Sequence, residues 1–381
     1  MKKVYTMIII LVFLFGFSSH INIVGAQNLS QTFDPTARVI EIVEERYEEN
    51  DYNSLRIEYQ SARVKILEGE FKGEIMIAVS EKYIPDSVNQ PKDEFWIKEN
   101  DKVVVQIAVF NGEIIKAEIM THARDLSSIL LISILIALLL LFGKRQGLKA
   151  VVTLGITLML ILKFMFPRLF DGYPPIYLAI ITGTIVTIVT FLMVSGITRK
   201  TIAATVGTVG GLASAAFISI VFSKIMRLTG YHSDDERILL SISNEISFDM
   251  KGILLAGILI GALGAIMDVA ISIASSMEEV RKNNPTISNG ELLKSGMNVG
   301  KDIMGTMANT LILAYVGAGL PLLMTLYGYE SAISQVIHME FLAVEILRTA
   351  AGSIGLILSI PITAFVTSLL IKTKRTKYAR S

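Results

Sequence analysis

The sequence predicts a polytopic α-helical membrane protein of about seven transmembrane helices, preceded by a small extracytoplasmic all-β domain. Three observations predict it. Of 381 residues, 52% are hydrophobic and only 18% charged, where soluble domains run at about a quarter charged. Residues 27–125 are dense in charge and alternate in hydropathy, whereas the chain from Leu126 onward is a series of long apolar runs. Mean hydropathy over the whole chain is +0.57. There is no cysteine, which removes disulfides, thiol nucleophiles and cysteine-ligated zinc or iron–sulfur clusters. With 35 Lys+Arg against 34 Asp+Glu, no bulk electrostatics point to nucleic acid.

Residues 1–26 open with Met1-Lys2-Lys3, continue through an uncharged run from Thr6 to Phe17, and end on Val24-Gly25-Ala26 before Gln27. A basic start, a short apolar core and a small-residue exit make a secretory signal. An uncleaved anchor is the alternative. Residues 27–125 hold Glu41, Glu44, Glu45, Arg46, Glu48 and Glu49. Apolar and polar residues alternate over 55–59, 62–67, 102–109 and 113–119, with Glu68-Gly69, Lys72-Gly73 and Asn111-Gly112 as turn signals. Period two around Asn-Gly is a hairpin signature. Five to seven short strands follow, as a small barrel or sandwich.

The apolar runs are Leu126–Phe142, Leu148–Phe166, Ile176–Val194, Thr201–Phe222, Gly252–Ser275, Ile303–Leu326 and Ala350–Ile371. Each can cross ~30 Å of hydrocarbon as a helix. They are too long and too unalternating for barrel strands. With the β domain outside, the inner loops and the basic tail 372–381 carry 14 Lys and Arg against 6 outside. That is the orientation the positive-inside rule favours, in a cell membrane with a cytoplasmic C-terminus.

Asp268 is the acidic residue well inside a span. Helical spacing places Gly257, Gly261, Gly264, Asp268, Ser272 and Ser275 on one stripe. A carboxylate at membrane depth costs several kcal/mol unless it faces protein, water or a partner. Small residues allow another helix to approach closely. The stripe is therefore expected to point into protein, with Asp268 loading and unloading a proton or ion. The competing expectation is an Asp that only hydrogen-bonds a neighbouring helix. In the sixth span Asp302, Thr306, Asn309, Thr310, Ala314 and Gly317 share a face, which is expected to meet the Asp268 face. Asn309 and Thr310 could equally be ordinary interhelical glue.

The fourth span offers Ala204, Thr208, Gly211, Ala215 and Ser219 as a smooth packing stripe. Thr182, Thr184, Thr187 and Thr190 in the third are expected mostly to bond back to their own helix. The outer loop cluster His232-Ser233-Asp234-Asp235-Glu236 is better explained as a solvated loop than as a metal site. Ser288, three before Glu291, is a capping box that should start a cytoplasmic surface helix leading into span six. A second surface helix is expected over Ser331–Arg348. No Walker A, GxSxG, HExxH or GxGxxG motif has a supporting context, so neither an enzyme nor a cofactor is expected.

Two stretches carry a resemblance: Gly261-x-x-Gly264-Ala-Ile-Met-Asp268-Val-Ala-Ile-Ser-Ile-Ala, and Gly300-Lys-Asp302-Ile-Met-Gly305-Thr-Met-Ala-Asn309-Thr310-Leu-Ile-Leu-Ala-Tyr315. They and the order of signal, β domain and spans resemble the YibE/F family of bacterial membrane proteins, over Leu126–Ile371. The layout from Gly264 to Thr367 is also similar to one half of the SecD/SecF and wider RND permeases. The counterparts are Asp268, then Glu291–Met297, then Asn309-Thr310 and Gly317-Ala-Gly319-Leu-Pro321. That layout implies proton flow across paired halves, hence a homodimer or a related membrane subunit within the lipid bilayer.

An ion-coupled permease or export component is the leading expectation. The alternative is a membrane scaffold or sensor whose β domain binds a partner. An intramembrane enzyme would have only Asp268, Asp302 and Asn309 to work with. A reporter fused after Lys374 should behave as cytoplasmic and one inserted within Asp86–Lys92 as extracytoplasmic. Finding both on one side would break the orientation argument.

Overall fold

The computed structural model describes residues 31–50, 55–85, 96–110, 113–231, 236, 238–239, 248–328 and 336–371. The expected signal, the basic tail and most of the loop cluster at 232–236 lie outside them. The chain forms two compact units, Met1–Leu138 and Leu139–Ser381, each taken by itself.

The first unit holds six strands: β1 (Gln31–Phe33), β2 (Thr36–Asn50), β3 (Leu55–Ile66), β4 (Ile75–Pro85), β5 (Lys102–Phe110) and β6 (Glu113–His122). The alternation read from the sequence sends every second residue inward. Ala62, Val64 and Ile66 of β3 and Val103, Val105 and Ile107 of β5 pack with Ala37, Val39 and Ala78 into one core. β5 and β6 pair antiparallel with Phe110 opposite Glu113, the hairpin expected on either side of Asn111-Gly112, which themselves lie outside the described residues.

β5 also pairs with β2, and β4 pairs in parallel with β6 at Val79 and Glu118. The ring β2-β3-β4-β6-β5 therefore closes on itself, with β1 added along β5. A three-stranded antiparallel meander, β2-β3-β4, and the β5-β6 hairpin, joined by one parallel contact, make an OB-type barrel. Closure leaves few free edges. Gln60, buried on β3, clamps the segment before β5: its Nε2 donates to the Ile97 carbonyl at 2.9 Å, and the Ile97 N–H donates to its Oε1 at 2.9 Å. Glu58, also buried, stands opposite Lys82 in the β3–β4 register. Burial pushes the Lys82 ammonium below its usual range, and the Glu58 charge works against that.

The remaining elements are helical: α1 (Asp125–Leu160), a π-turn (Ile161–Met165), α2 (Phe166–Phe170), α3 (Pro175–Ser195), α4 (Arg199–Ile225), α5 (Met250–Asn283), α6 (Asn289–Ala318), α7 (Leu320–Gly328) and α8 (Glu340–Leu370). Among the described residues, five helical runs are long and apolar enough to cross a membrane, or six if α6 and α7 count as one bent span. The sequence predicted seven. The difference lies in Asp125–Phe170, which runs as one stretch of 46 residues where two spans were expected.

That stretch is broken at Lys144 (φ 48°, ψ −121°). A side chain on Gly147 would collide with the Leu139 carbonyl, although eight helical residues should separate by about 12 Å. The backbone thus folds back between Gly143 and Gly147, where the basic link between two spans was expected. The sequence also predicted a surface helix over Ser331–Arg348 and a separate last span. From Glu340 the chain instead forms one helix to Leu370, which buries Val344, Leu347 and Ala351 in one apolar cluster and Leu356, Ile360 and Ala364 in another. The capping box at Ser288 and Glu291 is present, and its helix runs unbroken into the sixth apolar stretch.

Glycines set the bundle. A Cβ on Gly211 of α4 would lie 2.7 Å from the Gly355 carbonyl oxygen of α8, and a Cβ on Gly355 would lie 2.8 Å from that of Gly211. Ile266 of α5 fills the notch beside both. The expected packing stripe of α4, Ala204 through Ser219, is buried throughout. Gly211→Ala should therefore destabilise by about 1–3 kcal/mol, as overpacking does. Gly257→Ala, with nothing within 4 Å of the added carbon, should be neutral or slightly stabilising through helix propensity. Thermal midpoints of the purified variants check this; equal shifts would contradict the close crossing.

Candidate functional site

The residues singled out on α5 form one continuous face in the folded chain, but it points outward. Gly257, Gly261, Gly264, Asp268 and Ser272 are all exposed, while Ile258, Ala262, Ile266, Ile273 and Met277 between them are buried. The expectation that this stripe packs into protein is corrected. The aliphatic face is the packed one because Ile266 interlocks with the close Gly211–Gly355 crossing, and helices in lipid associate through such packing. A Cβ on Gly257 or Gly264 would meet nothing within 4 Å, so neither serves as a packing contact within the chain. Gly211 does, as described above.

The expectation that α5 and α6 meet through their polar stripes is corrected as well. α6 packs through Leu292, Gly296, Gly300 and Leu311, with Gly296 against Met277, and Gly300 against Ile273 and Ile360. Asp302, Thr306, Asn309 and Thr310 stay exposed. The Thr306 and Thr310 hydroxyls donate to their own helix, at the carbonyls of Ile303 (3.0 Å) and Thr306 (2.8 Å). Asp268 makes no hydrogen bond or ion pair among the described residues.

One contact does join the two helices on the Asp268 side. The Tyr315 hydroxyl of α6 lies 2.7 Å from where a Cβ on Gly261 would sit, and that hydroxyl is buried without a hydrogen-bond partner. Gly261 is thus the one stripe glycine whose missing side chain another helix uses.

On the other side of the stripe, α5 faces α3 and the second arm of α1. Gly252 stacks against Pro175, and Gly183 against Leu263, so α3 and α5 run parallel. Continuing that register carries Asp268 to about the level of Thr190. A groove of about 410 Å³ runs between the three helices; its walls are mainly apolar, with Leu154, Val186, Ile260, Leu263 and Met267, and carry Thr153 and Thr157 of α1 and Thr182 and Thr190 of α3 beside Gly261 and Gly264 of α5. Lys149 Nζ donates to the Val194 carbonyl at 3.1 Å and so ties α1 to α3 at one end. Near that end Lys200 of α4 pairs with Glu278 of α5 at 2.8 Å.

Sequence reasoning missed this groove. The signal was present in the four-residue step Thr153–Thr157 and the eight-residue step Thr182–Thr190, each of which stays on one helical face. The expected back-bonding holds for Thr184 and Thr187, both at 2.7 Å, but not for Thr182, whose Oγ1 is buried with no partner. The π-turn Ile161–Met165 at the far end of the groove was missed too; such turns carry no simple sequence mark.

Gly261→Ala should destabilise the Tyr315 protein, and less so a Tyr315→Phe background in which the opposing oxygen is gone. A thermal double-mutant cycle reads the coupling, expected at about 0.5–3 kcal/mol for residues in contact. Additive effects would place Tyr315 elsewhere.

A family model described as YibE/F-like protein matches residues 131–373. No curated protein and no solved structure matches the chain. The matched stretch includes the Asp268 face, the groove and the polar face of α6, and covers well over half of the sequence. The chain belongs to the YibE/F-like family.

Proposed function

We propose that this chain is a multi-pass membrane protein acting as an ion-coupled permease or export component, with Asp268 as the carboxyl that takes up and releases a proton or ion. One observation carries the reading. An unpartnered carboxyl stands on a small-residue face in the middle of a long apolar helix, where an ionisable group is costly and by default functional. The apolar surface supports a membrane setting: Leu126, Leu131, Phe142, Phe217 and Leu369 are all well exposed. Counting the two arms of Asp125–Phe170 separately, and α6 with α7 as one bent span, gives seven spans. That odd number fits an extracytoplasmic β domain with a cytoplasmic C-terminus.

The exposed polar face of α6 supports assembly. Asn309 and Asp302 facing lipid are unfavourable, so a second copy or a related subunit covers them. No cofactor enters this reading, and the chemistry asked of the chain is ion exchange rather than covalent catalysis.

A scaffold or sensor is the second reading. It is favoured by Ile75 and Ile77 of β4, more than half exposed on the barrel's outer face. They stand opposite Lys65 and Arg63 of β3, an apolar strip with a basic border suited to a partner.

Asp268→Asn decides between them. The amide keeps shape and polarity but cannot ionise, so the variant should insert and fold yet lose all function in whatever phenotype the deletion produces. Full activity of Asp268→Asn would remove ion coupling and leave the scaffold.

A further inference from the structure

We infer that the groove between α1, α3 and α5, with four threonines on its walls, is a hydrated path reaching Asp268. This rests on the reading of Asp268 as an ion-exchanging carboxyl and supplies the route that exchange needs.

The first argument is Thr182. Its residue is fully buried and it lines the groove, yet its hydroxyl has no partner. Its neighbours Thr184 and Thr187 satisfy themselves on their own helix. A buried hydroxyl left unpaired is unfavourable, and such groups ordinarily find protein or water. A change of χ1 rotamer, about 120°, is what would turn Thr182 Oγ1 toward the groove, and a helical threonine has two accessible rotamers.

The second argument is capacity. The groove holds about 410 Å³, far more than one water requires, and a stable water needs two to four polar partners. Thr153 and Thr157 each donate to a carbonyl of their own helix, at 3.0 and 2.8 Å. Their oxygens keep lone pairs that can accept from water. Thr190, partly exposed, and Thr182, once rotated, stand on the opposite wall.

The third argument is position. Gly264 and Met267 line the groove, one turn and one residue before Asp268. The α3–α5 register sets the carboxyl near the level of Thr190. Gly261 and Gly264 present no side chain that could plug the way between groove and carboxyl.

The chain has no cysteine, so single-cysteine variants need no altered background. Thr157→Cys, Thr182→Cys and, as a control on the outer surface of α4, Phe217→Cys are treated in membrane vesicles with a charged, membrane-impermeant methanethiosulfonate. Free thiols are then counted by a maleimide mass shift. Such reagents attack the hydrated thiolate, so both groove variants should react at least about tenfold faster than Phe217→Cys. Thr157→Cys keeps the test decisive if Thr182→Cys fails to fold. Groove thiols as slow as Phe217→Cys would overturn the path. Reactive thiols together with a fully active Asp268→Asn would keep the wet groove and discard ion coupling; inert thiols with an inactive Asp268→Asn would do the reverse.

Discussion

Gly211 and Gly355 meet across α4 and α8 with no room for a side chain on either, and the helical unit is organised around that meeting. Two backbones this close leave a notch that Ile266 of α5 fills from the side. Once Ile266 points inward, the rest of α5 has no freedom. Residues at steps of three and four from it, Ala262, Ala270 and Ile273, must be buried. Asp268, two residues on and about 200° around the helix, must face out. The outward carboxyl follows from an interaction in which it takes no part.

The same geometry accounts for α6. Met277, Ile273 and Ile360 present a bulky apolar surface, and only an α6 face with glycine at 296 and 300 can lie against it. Those glycines bring Leu292 and Leu311 inward with them. Asn309, nearly opposite Gly300 around the helix, is therefore directed away from the bundle. Small residues serve two different ends in this chain. In α4, α8 and the buried side of α6 they admit a neighbour. On the outer side of α5 they leave open space beside a carboxyl.

The sequence could not distinguish those two ends, and this is where its reading of the site failed. A glycine stripe signals that something approaches closely, but not whether the visitor belongs to the same chain. Gly211 and Gly264 sit in similar contexts, yet one is enclosed and the other open. Strands, caps and apolar runs were legible because each is fixed locally, by alternation, by the Ser288–Glu291 pair or by length. The break at Lys144 was legible only as a short basic link. The turning back of the chain there depends on Gly147, where a side chain would strike the Leu139 carbonyl. The barrel's closure rests on the parallel contact of Val79 with Glu118, a long-range pairing that no local pattern encodes.

Irregular backbone is distributed unevenly around Asp268. α4 and α5 are unbroken, and α8 runs through Pro361 without interruption. Close glycine contacts hold α4 to α8 with Ile266 of α5 wedged between them. The departures from helical geometry fall on the flanking elements: the reversal at Lys144, the π-turn at Ile161–Met165, and the 63° bend between α6 and α7 beside Gly319 and Pro321. On the proposed ion-exchange reading, a carboxyl on the unbroken α5, flanked on one side by the groove and on the other by a helix pair with a built-in bend, would suit alternating exposure of one site. On that reading the flanks would be the parts that move; on the Asp268 side they meet α5 through Tyr315 over Gly261 and through the groove, while on its inner side Leu263 and Met267 pack with α3, and Ile273 and Met277 with α6.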